Sequence, residues 1–540
     1  MTVKPIGADV VLDLDPYRVA LMQRESRRAS KRLPLTYPEI PIFEDLRRSA
    51  VDSPNRVAIL VPDGPRVTFR ELDAASDRIA AGLHRHGIGL GDVVAVSLGN
   101  RPEFAMAYYG VLKAGATLSP VNPLFRVDEV TARFLDCGAR VWILAPEAAA
   151  ATLNEVRGRV PSLREVFVTG SPAWEDLLAT PGEAPAPHIR PREDVAVLPY
   201  SSGTTGMPKG VMLTHFNITS NVRQSIVARG LSGDDILLNH LPLYHIYGMT
   251  VLMAMPFSRG LTTILMPRFD AGLVLAHIAR YGPTRYYTVP PAVLALVRHP
   301  AITHTSCRSI RTMTAAAAPL PLVLAEEFEA KTGVPVRMGY GLTETSPTTH
   351  VHPDEAPRPG TCGTPISDTE QRIVDTETGR ELSPGQPGEI LVKGPQVMRG
   401  FWRHPEATAE VLRDGWLHTG DIGMIDQDGY LTVVDRKKDM IKYKAYPVAP
   451  FELEELLMKH PAVADCAVVG APDPDGFEVP KAYVVLRPGA PGDRDELMAF
   501  VADRVAPYKK VRQVEFVREI PRSPSGKILR RVLKERGAER

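Results

Sequence analysis

The sequence predicts an α/β protein in two unequal parts: a large N-terminal domain of doubly wound sheets with a β-rich subdomain, followed by a small, mobile α+β C-terminal domain. Three observations carry this. Short apolar runs alternate with helix-period segments from residue 56 onward, which favours parallel strands covered by helices. After Gly360 the texture changes to short strands punctuated by Gly and Pro. The last hundred or so residues mix two helical patterns with three strand patterns. The expected boundaries are an arm at 1–40, the large domain at 41–434, a hinge at 435–438 and the small domain at 439–540.

Taken in order, Val57-Ala58-Ile59-Leu60-Val61 reads as the first strand. Leu72, Ala75, Ile79 and Leu83 then recur at the spacing of one helix face. Val93-Val94-Ala95-Val96 is the next strand, residues 103–113 a helix with Gly115 as its C-terminal stop, and Val141-Trp142-Ile143-Leu144 a further strand. The alternation continues less regularly to about Val336. Residues 171–192, rich in Pro, Ala and Glu, form a loop before the strand Val195-Ala196-Val197-Leu198. Beyond Gly360, residues 388–392 and 429–434 read as strands of the β-rich part. In the small domain helices are expected at 451–460 and 496–505, with strands at 466–469, 482–486 and 514–517.

A chain of 540 residues with 44% hydrophobic and 24% charged residues is neither a disordered nor a membrane-embedded composition. The balance of 64 Lys+Arg against 63 Asp+Glu offers no net attraction for nucleic acid or an anionic membrane. The first 30 residues lack a continuous apolar run, and the most apolar stretch, 249–266, is broken by Pro256 and Arg259, so neither a secretory signal nor a membrane span is expected. Cys137, Cys307, Cys362 and Cys466 stand far apart, as reduced thiols of the cytoplasm would.

The most informative segment, Tyr200-Ser201-Ser202-Gly203-Thr204-Thr205-Gly206-Met207-Pro208-Lys209-Gly210, follows a strand. Its three glycines let successive backbone N–H groups converge on an anion, its four Ser/Thr hydroxyls add donors, and Lys209 adds charge, so phosphate is the natural ligand. Because Lys209 lies between Pro208 and Gly210, this is not a Walker A loop.

Together with Lys113-Ala114-Gly115-Ala116, Tyr340-Gly341-Leu342-Thr343-Glu344, Thr419-Gly420-Asp421, Asp435-Arg436-Lys437-Lys438-Asp439 and Pro524-Ser525-Gly526-Lys527, in that order, the loop makes residues 40–535 resemble the adenylate-forming superfamily. That superfamily includes acyl- and aryl-CoA synthetases, 4-coumarate-CoA ligases, luciferases and peptide-synthetase adenylation domains. The resemblance implies ATP, Mg2+ and coenzyme A. ATP would meet Ser201, Ser202, Gly203, Thr204, Thr205, Gly206 and Lys209 at its phosphates. Ala316, Ala317, Tyr340 and Gly341 would border the adenine, with Thr343 on a phosphate, Asp421 and Arg436 on the ribose, and Lys527 on the α-phosphate and acyl carboxylate. Thr204 and Glu344 would hold the metal. Lys438 would be the hinge about which the small domain turns, exchanging Lys527 for Lys442 at the reaction centre. His245, Lys444 and Ala445 would line the CoA channel, and His245, Tyr247, Met338, Gly339, Thr345, Pro347 and Thr348 the acid pocket. Lys527, Lys442, Thr204, Lys209, Glu344 and His245 are the catalytic candidates. Taken singly, Thr419 to Asp421 is most often just a turn, 436–438 is usually a solvated charged face, Lys527 reads also as part of a basic tail and His245 also as a core histidine.

Two positions depart from the superfamily pattern: alanine replaces glycine at Ala316 and Ala445, where an added methyl would crowd the nucleotide pocket and the CoA channel, and where a positive φ would add strain. The expected activity is an AMP-forming acid-thiol ligase that makes an acyl-adenylate and then a CoA thioester. With no Lys or Arg among the pocket positions the acid is expected to be a monocarboxylate, and because Tyr247 and His245 can contact a ring while Ala316 and Pro347 shorten the room for a long chain, one of benzoate, salicylate or cinnamate type. The alternatives are a medium-chain fatty acid, or transfer to a carrier protein instead of CoA. A catalytically silent nucleotide binder is disfavoured by the presence of Lys209, Glu344, Asp421 and Lys527.

Overall fold

The computed structural model describes residues 32–181, 183, 185–201, 208–443, 446–473 and 478–538. Val336–Met338, Thr312–Ala315, Arg285–Thr288, Ile236–Asn239, Thr262–Leu265 and Val57–Leu60 lie side by side as parallel strands, with Arg66–Thr68 antiparallel at the edge. In the second sheet Glu165–Val168, Val141–Leu144, Val93–Ser97, Thr117–Pro120 and Val195–Val197 are parallel, and Lys209–Thr214 joins them antiparallel. Helices cover these strands, which is why Val93–Ser97 and Val141–Leu144 are buried at every position and read as unbroken apolar runs. The expected doubly wound architecture is borne out.

Between the sheets, Phe69 meets Phe257 edge-on at 5.8 Å and Tyr108 meets Tyr109 at 5.0 Å. Helix Phe69–Arg85 starts at a Thr68/Glu71 capping box and packs on helix Pro102–Lys113. At that contact Lys113 is fully buried, its ammonium 2.6 Å from Asp73 and 2.7 Å from Asp77. The lysine of the Lys-Ala-Gly-Ala segment is therefore a brace between helices, and its ion-pair partners among the described residues, Asp73 and Asp77, are not expected ATP residues.

The β-rich part is an antiparallel sheet of Glu370–Val374, Gly388–Lys393, Trp416–Ile425 and Leu431–Arg436, with Leu412–Arg413 at its edge. Its last strand begins at Leu431 and not at Gly429, because the Asp426 carboxylate accepts from the N–H groups of Asp428 and Tyr430 and holds them in a turn. The next residues turn at once: Asp439 N–H and Met440 N–H both donate to Arg436 O, so the expected hinge is a reverse turn between strands Leu431–Arg436 and Ile441–Tyr443.

In the small domain Val463–Pro472, Glu478–Leu486 and Gln513–Phe516 form a three-stranded sheet covered by helices Pro450–Leu457, Arg494–Ala502 and Arg530–Ala538. The first two helices stop three residues short of expectation, each ahead of a proline, Pro461 or Pro507, that cannot continue a helix. Of the expected arm, the described residues 32–40 lie on the large domain: Leu35 N–H and the Tyr37 hydroxyl both donate to Asp368.

Candidate active site

The segments that meet at the site leave the carboxyl ends of neighbouring parallel strands, the place where an open α/β sheet presents loops and unpaired backbone to a ligand. Ile236–Asn239 leads to His245 and Tyr247, Arg285–Thr288 to Val289 and Pro291, Thr312–Ala315 to Ala316 and Ala317, and Val336–Met338 to Gly339 and Tyr340.

Strands Tyr200–Ser201 and Lys209–Thr214 pair antiparallel as the stem of the expected phosphate loop. Ser202, Gly203, Thr204, Thr205 and Gly206 lie outside the described residues. Across the stem, the Ser201 hydroxyl donates to Glu344 at 2.7 Å, which joins the loop to the Tyr-Gly-Leu-Thr-Glu segment. Lys209 Nζ lies 5.8 Å from the centre of the Phe401 ring. Glu344 sits on a single 3-10 turn, Thr343–Thr345, closed by Leu342 N–H donating to Pro347 O and anchored by Met398 N–H donating to Glu344 O. A Cβ on Gly341 would stand 1.9 Å from Pro347 O, so this turn requires glycine there.

Asp421 and Arg436 are cross-strand partners in the β-rich sheet. The Tyr340 hydroxyl donates to Asp421 at 2.7 Å, and Arg436 Nε lies 3.4 Å from the other carboxylate oxygen. Burial, and then the Asp421 charge, push the Tyr340 phenol well above its ordinary value, so it stays a donor.

Lys527 arrives from the small domain. Its loop is tied by Ser523, whose hydroxyl accepts from Lys527 N–H at 3.1 Å and whose N–H donates to Lys527 O at 2.8 Å. Gly526, at φ +82°, presses its bare Cα against the large domain, where a Cβ would come to 3.1 Å from Val289 and 3.2 Å from Pro291. Glycine thus permits both the turn and the close approach. Surrounding protein, Arg436 and Lys438 push the Lys527 ammonium down to about 8, against the opposing pull of Asp421 and Glu344. The side chain remains open to water in the cleft, which weakens these influences. Half-buried His245 feels the same cation: burial first, and Lys527 second, push its imidazole down to about 4, so it is neutral at physiological pH. Its Nδ1 accepts from Tyr247 N–H at 3.3 Å.

One lysine from a second domain, a carboxylate bonded to the phosphate-loop stem and a Tyr/Asp/Arg cluster thus face one cleft. The family model for AMP-binding enzymes matches residues 46–402, and that for the AMP-binding enzyme C-terminal domain matches residues 452–527. The chain is an AMP-binding enzyme. It is 39% identical over 490 residues to 4-coumarate--CoA ligase 3 of Oryza sativa subsp. japonica, covering 88% of each chain. It is 36% identical over 543 residues to a long-chain-fatty-acid--CoA ligase of Bacillus subtilis (strain 168), covering 94% of this chain and 96% of the other. An anthranilate CoA ligase solved with anthranoyl-AMP superimposes with a TM-score of 0.86 at 29% identity, covering 94% of this chain and 98% of that one. Within the AMP-binding enzymes this chain is an AMP-forming acyl/aryl-CoA synthetase.

In this AMP-binding enzyme the remaining expected residues divide. Met338 ends a parallel strand beside Ala315, and Gly339 faces Thr314 and Ala316 without a side chain, so both adjoin the nucleotide segment. Thr345 does not face the pocket freely; its buried hydroxyl donates to Pro347 O at 2.5 Å and braces the turn. Lys442, on strand Ile441–Tyr443, is exposed, and its N–H donates to Glu478 of the small domain. Lys444 and Ala445 lie outside the described residues. The strain expected at Ala316 falls one residue later: Ala317 has φ +72°, whereas Ala316 N–H continues the sheet by donating to Thr288 O.

Several contributors were missed by sequence reading. Asn221 clamps the expected pocket position Thr348 by donating to its carbonyl oxygen at 2.8 Å and accepting from its N–H at 3.1 Å. The signal was present as a run of polar residues in the buried helix His215–Ala228, which has no amphipathic pattern to advertise a polar inner face. Tyr247 also opens a π-helical turn, Tyr247–Ala254, a form that recurs at functional sites. The same helix His215–Ala228 delivers Arg229 behind Thr348.

Proposed function

We propose that this acyl/aryl-CoA synthetase activates an aromatic carboxylic acid, forming an aryl-adenylate and then an aryl-CoA thioester. The observation that carries the reading is the approach of Lys527 to Glu344, Asp421 and Arg436 across the domain cleft. Such a site needs no catalytic triad, because transfer of an adenylyl group is a matter of alignment and charge neutralisation. The acid's carboxylate attacks the α-phosphorus, the bond to pyrophosphate breaks, and Lys527 and Lys209 offset charge on the phosphoryl oxygens. Asp421, with Arg436 behind it, orients the ribose. The oxygen-rich pair of Glu344 and the Ser201 hydroxyl fits a hard divalent cation. Mg2+ bound there would supply charge neutralisation for the triphosphate. For the second half-reaction the turn at Lys438 is the pivot: rotating it withdraws Lys527, presents Lys442, and admits the CoA thiol past His245 to displace AMP. A neutral His245 favours that passage, since it does not hold the carboxylate as an ion pair.

An aromatic acid is supported by the flat pocket offered by the Tyr247 ring, the bare Gly339 and the Pro347 ring, and by the names that the 4-coumarate and anthranilate ligases carry. A medium-chain fatty acid is the second reading, favoured by the likeness to the Bacillus ligase. ATP–pyrophosphate exchange over benzoate, salicylate, coumarate, octanoate and palmitate, each followed by CoA, tests both. Exchange with the aryl acids and release of aryl-CoA is the expected result. Preference for palmitate would overturn the aromatic assignment, and adenylate that is never released by CoA would point to a carrier protein as acceptor.

A further inference from the structure

The acid pocket read from sequence contains no cation, but the fold brings one to it. Helix His215–Ala228 ends at Arg229, a residue only 8% exposed. Its Nη2 donates to Thr348 Oγ1 at 3.3 Å, and its guanidinium lies 5.6 Å from the centre of the Tyr287 ring. Its Nε and Nη1 have no hydrogen-bond partner among the described residues, and neither has the buried Tyr247 hydroxyl, which feels the Arg229 charge. Thr348, Tyr247 and Met338 are pocket positions, and Met338 shares with Arg229 a cleft also lined by Arg285, Arg337 and Tyr287.

The charges around that cleft do not balance. Arg285 is paired with Asp235 at 3.1 Å and Arg337 with Asp354, and among the described residues no carboxylate pairs with Arg229. A buried guanidinium with two unmet donors is costly, and the group that would relieve the cost is an anionic acceptor with two oxygens in one plane. We propose that the acid carries a second carboxylate at the end remote from the reacting one, and that Arg229 binds it. The inference rests on the CoA-ligase reading above and replaces the expectation of a monocarboxylate. The pocket is then polar at both ends: Lys527 near the reacting carboxyl, Arg229 at the far end, and Tyr247 and Met338 between them.

The test is pyrophosphate exchange by the full chain with matched acids: 4-carboxy-, 4-hydroxy- and 4-methylcinnamate as an aryl set, and suberate against octanoate as an alkyl set. The wild-type enzyme is expected to favour the dicarboxylate of the set it uses by about 10⁴-fold in kcat/KM over the methyl-ended acid, the scale on which a site built for a polar group rejects an analogue lacking it. Arg229→Met should abolish that ratio, and Arg229→Lys should retain part of it. Unliganded Arg229→Met should melt no lower than wild type, because an unpaired buried charge has been removed. A wild-type preference for the methyl- or hydroxyl-ended acid, or a ratio unchanged in Arg229→Met, overturns the proposal. Activity confined to the alkyl set defeats the aromatic reading while the suberate ratio still decides Arg229. Exchange with none of the acids defeats the ligase reading and this inference with it.

Discussion

Lys527→Ala separates the two half-reactions. Lys527 faces Glu344, Asp421 and Arg436, and Gly526 lets its loop seat on Val289 and Pro291; under the proposed function its charge serves adenylation. Removing a preorganised charge that acts chiefly in the transition state should lower pyrophosphate exchange by about 10²–10³-fold. Thioester formation from supplied acyl-AMP should change by less than about tenfold, since in the proposed cycle the turn at Lys438 then moves Lys527 away. A pH signature accompanies this. The ammonium is pushed down to about 8, so its charge is present below that pH and lost above it. A group with that pKa is about nine-tenths charged at pH 7 and about one-eleventh at pH 9, an approximately tenfold loss. Open access to water in the cleft moves the fall upward from pH 8, never below it. Lys527→Arg keeps its charge throughout, so exchange by wild type relative to Lys527→Arg should fall across this range. Equal losses in both half-reactions, or parallel pH profiles for wild type and Lys527→Arg, would refute the assignment of Lys527 to the first step.

Lys113→Met should destabilise the large domain by about 3 kcal/mol, the low end for removing one partner of a buried pair, because Asp73 and Asp77 keep some access to water. Its melting temperature should drop while exchange per folded molecule stays within about twofold, and adding Asp73→Asn should restore part of the loss; a selective fall in ATP affinity would instead place Lys113 in the site. Ala317→Gly should raise stability by on the order of 1 kcal/mol by relieving a left-handed backbone at φ +72°, read by denaturant melting. A loss of stability would mean that the alanine methyl packs well enough to outweigh the strain.

The sequence alone determined the class of fold and the family to which its ordered motifs belong. Strand and helix periods are local, and burial on both faces of parallel strands writes itself into runs such as Val141 to Leu144. The glycine at 526 was likewise legible, because the need for a bare Cα and a positive φ leaves few other choices. The tertiary structure decided which residues do structural work and which lie beside the positions expected to receive the acid. Lys113 reads as part of a motif, yet its partners lie on another helix about forty residues earlier. Arg229 reads as a cation placed favourably at a helix C-terminus, and nothing local reveals that this end is buried against Tyr287 and Thr348. Ala316 and Ala317 are indistinguishable as letters; the hydrogen bond from Ala316 to Thr288 on the neighbouring strand puts the backbone reversal on the second. In each case the deciding partner is distant in sequence, and pairing over such distances is set by how the two sheets and the small domain pack, which no short window of residues contains.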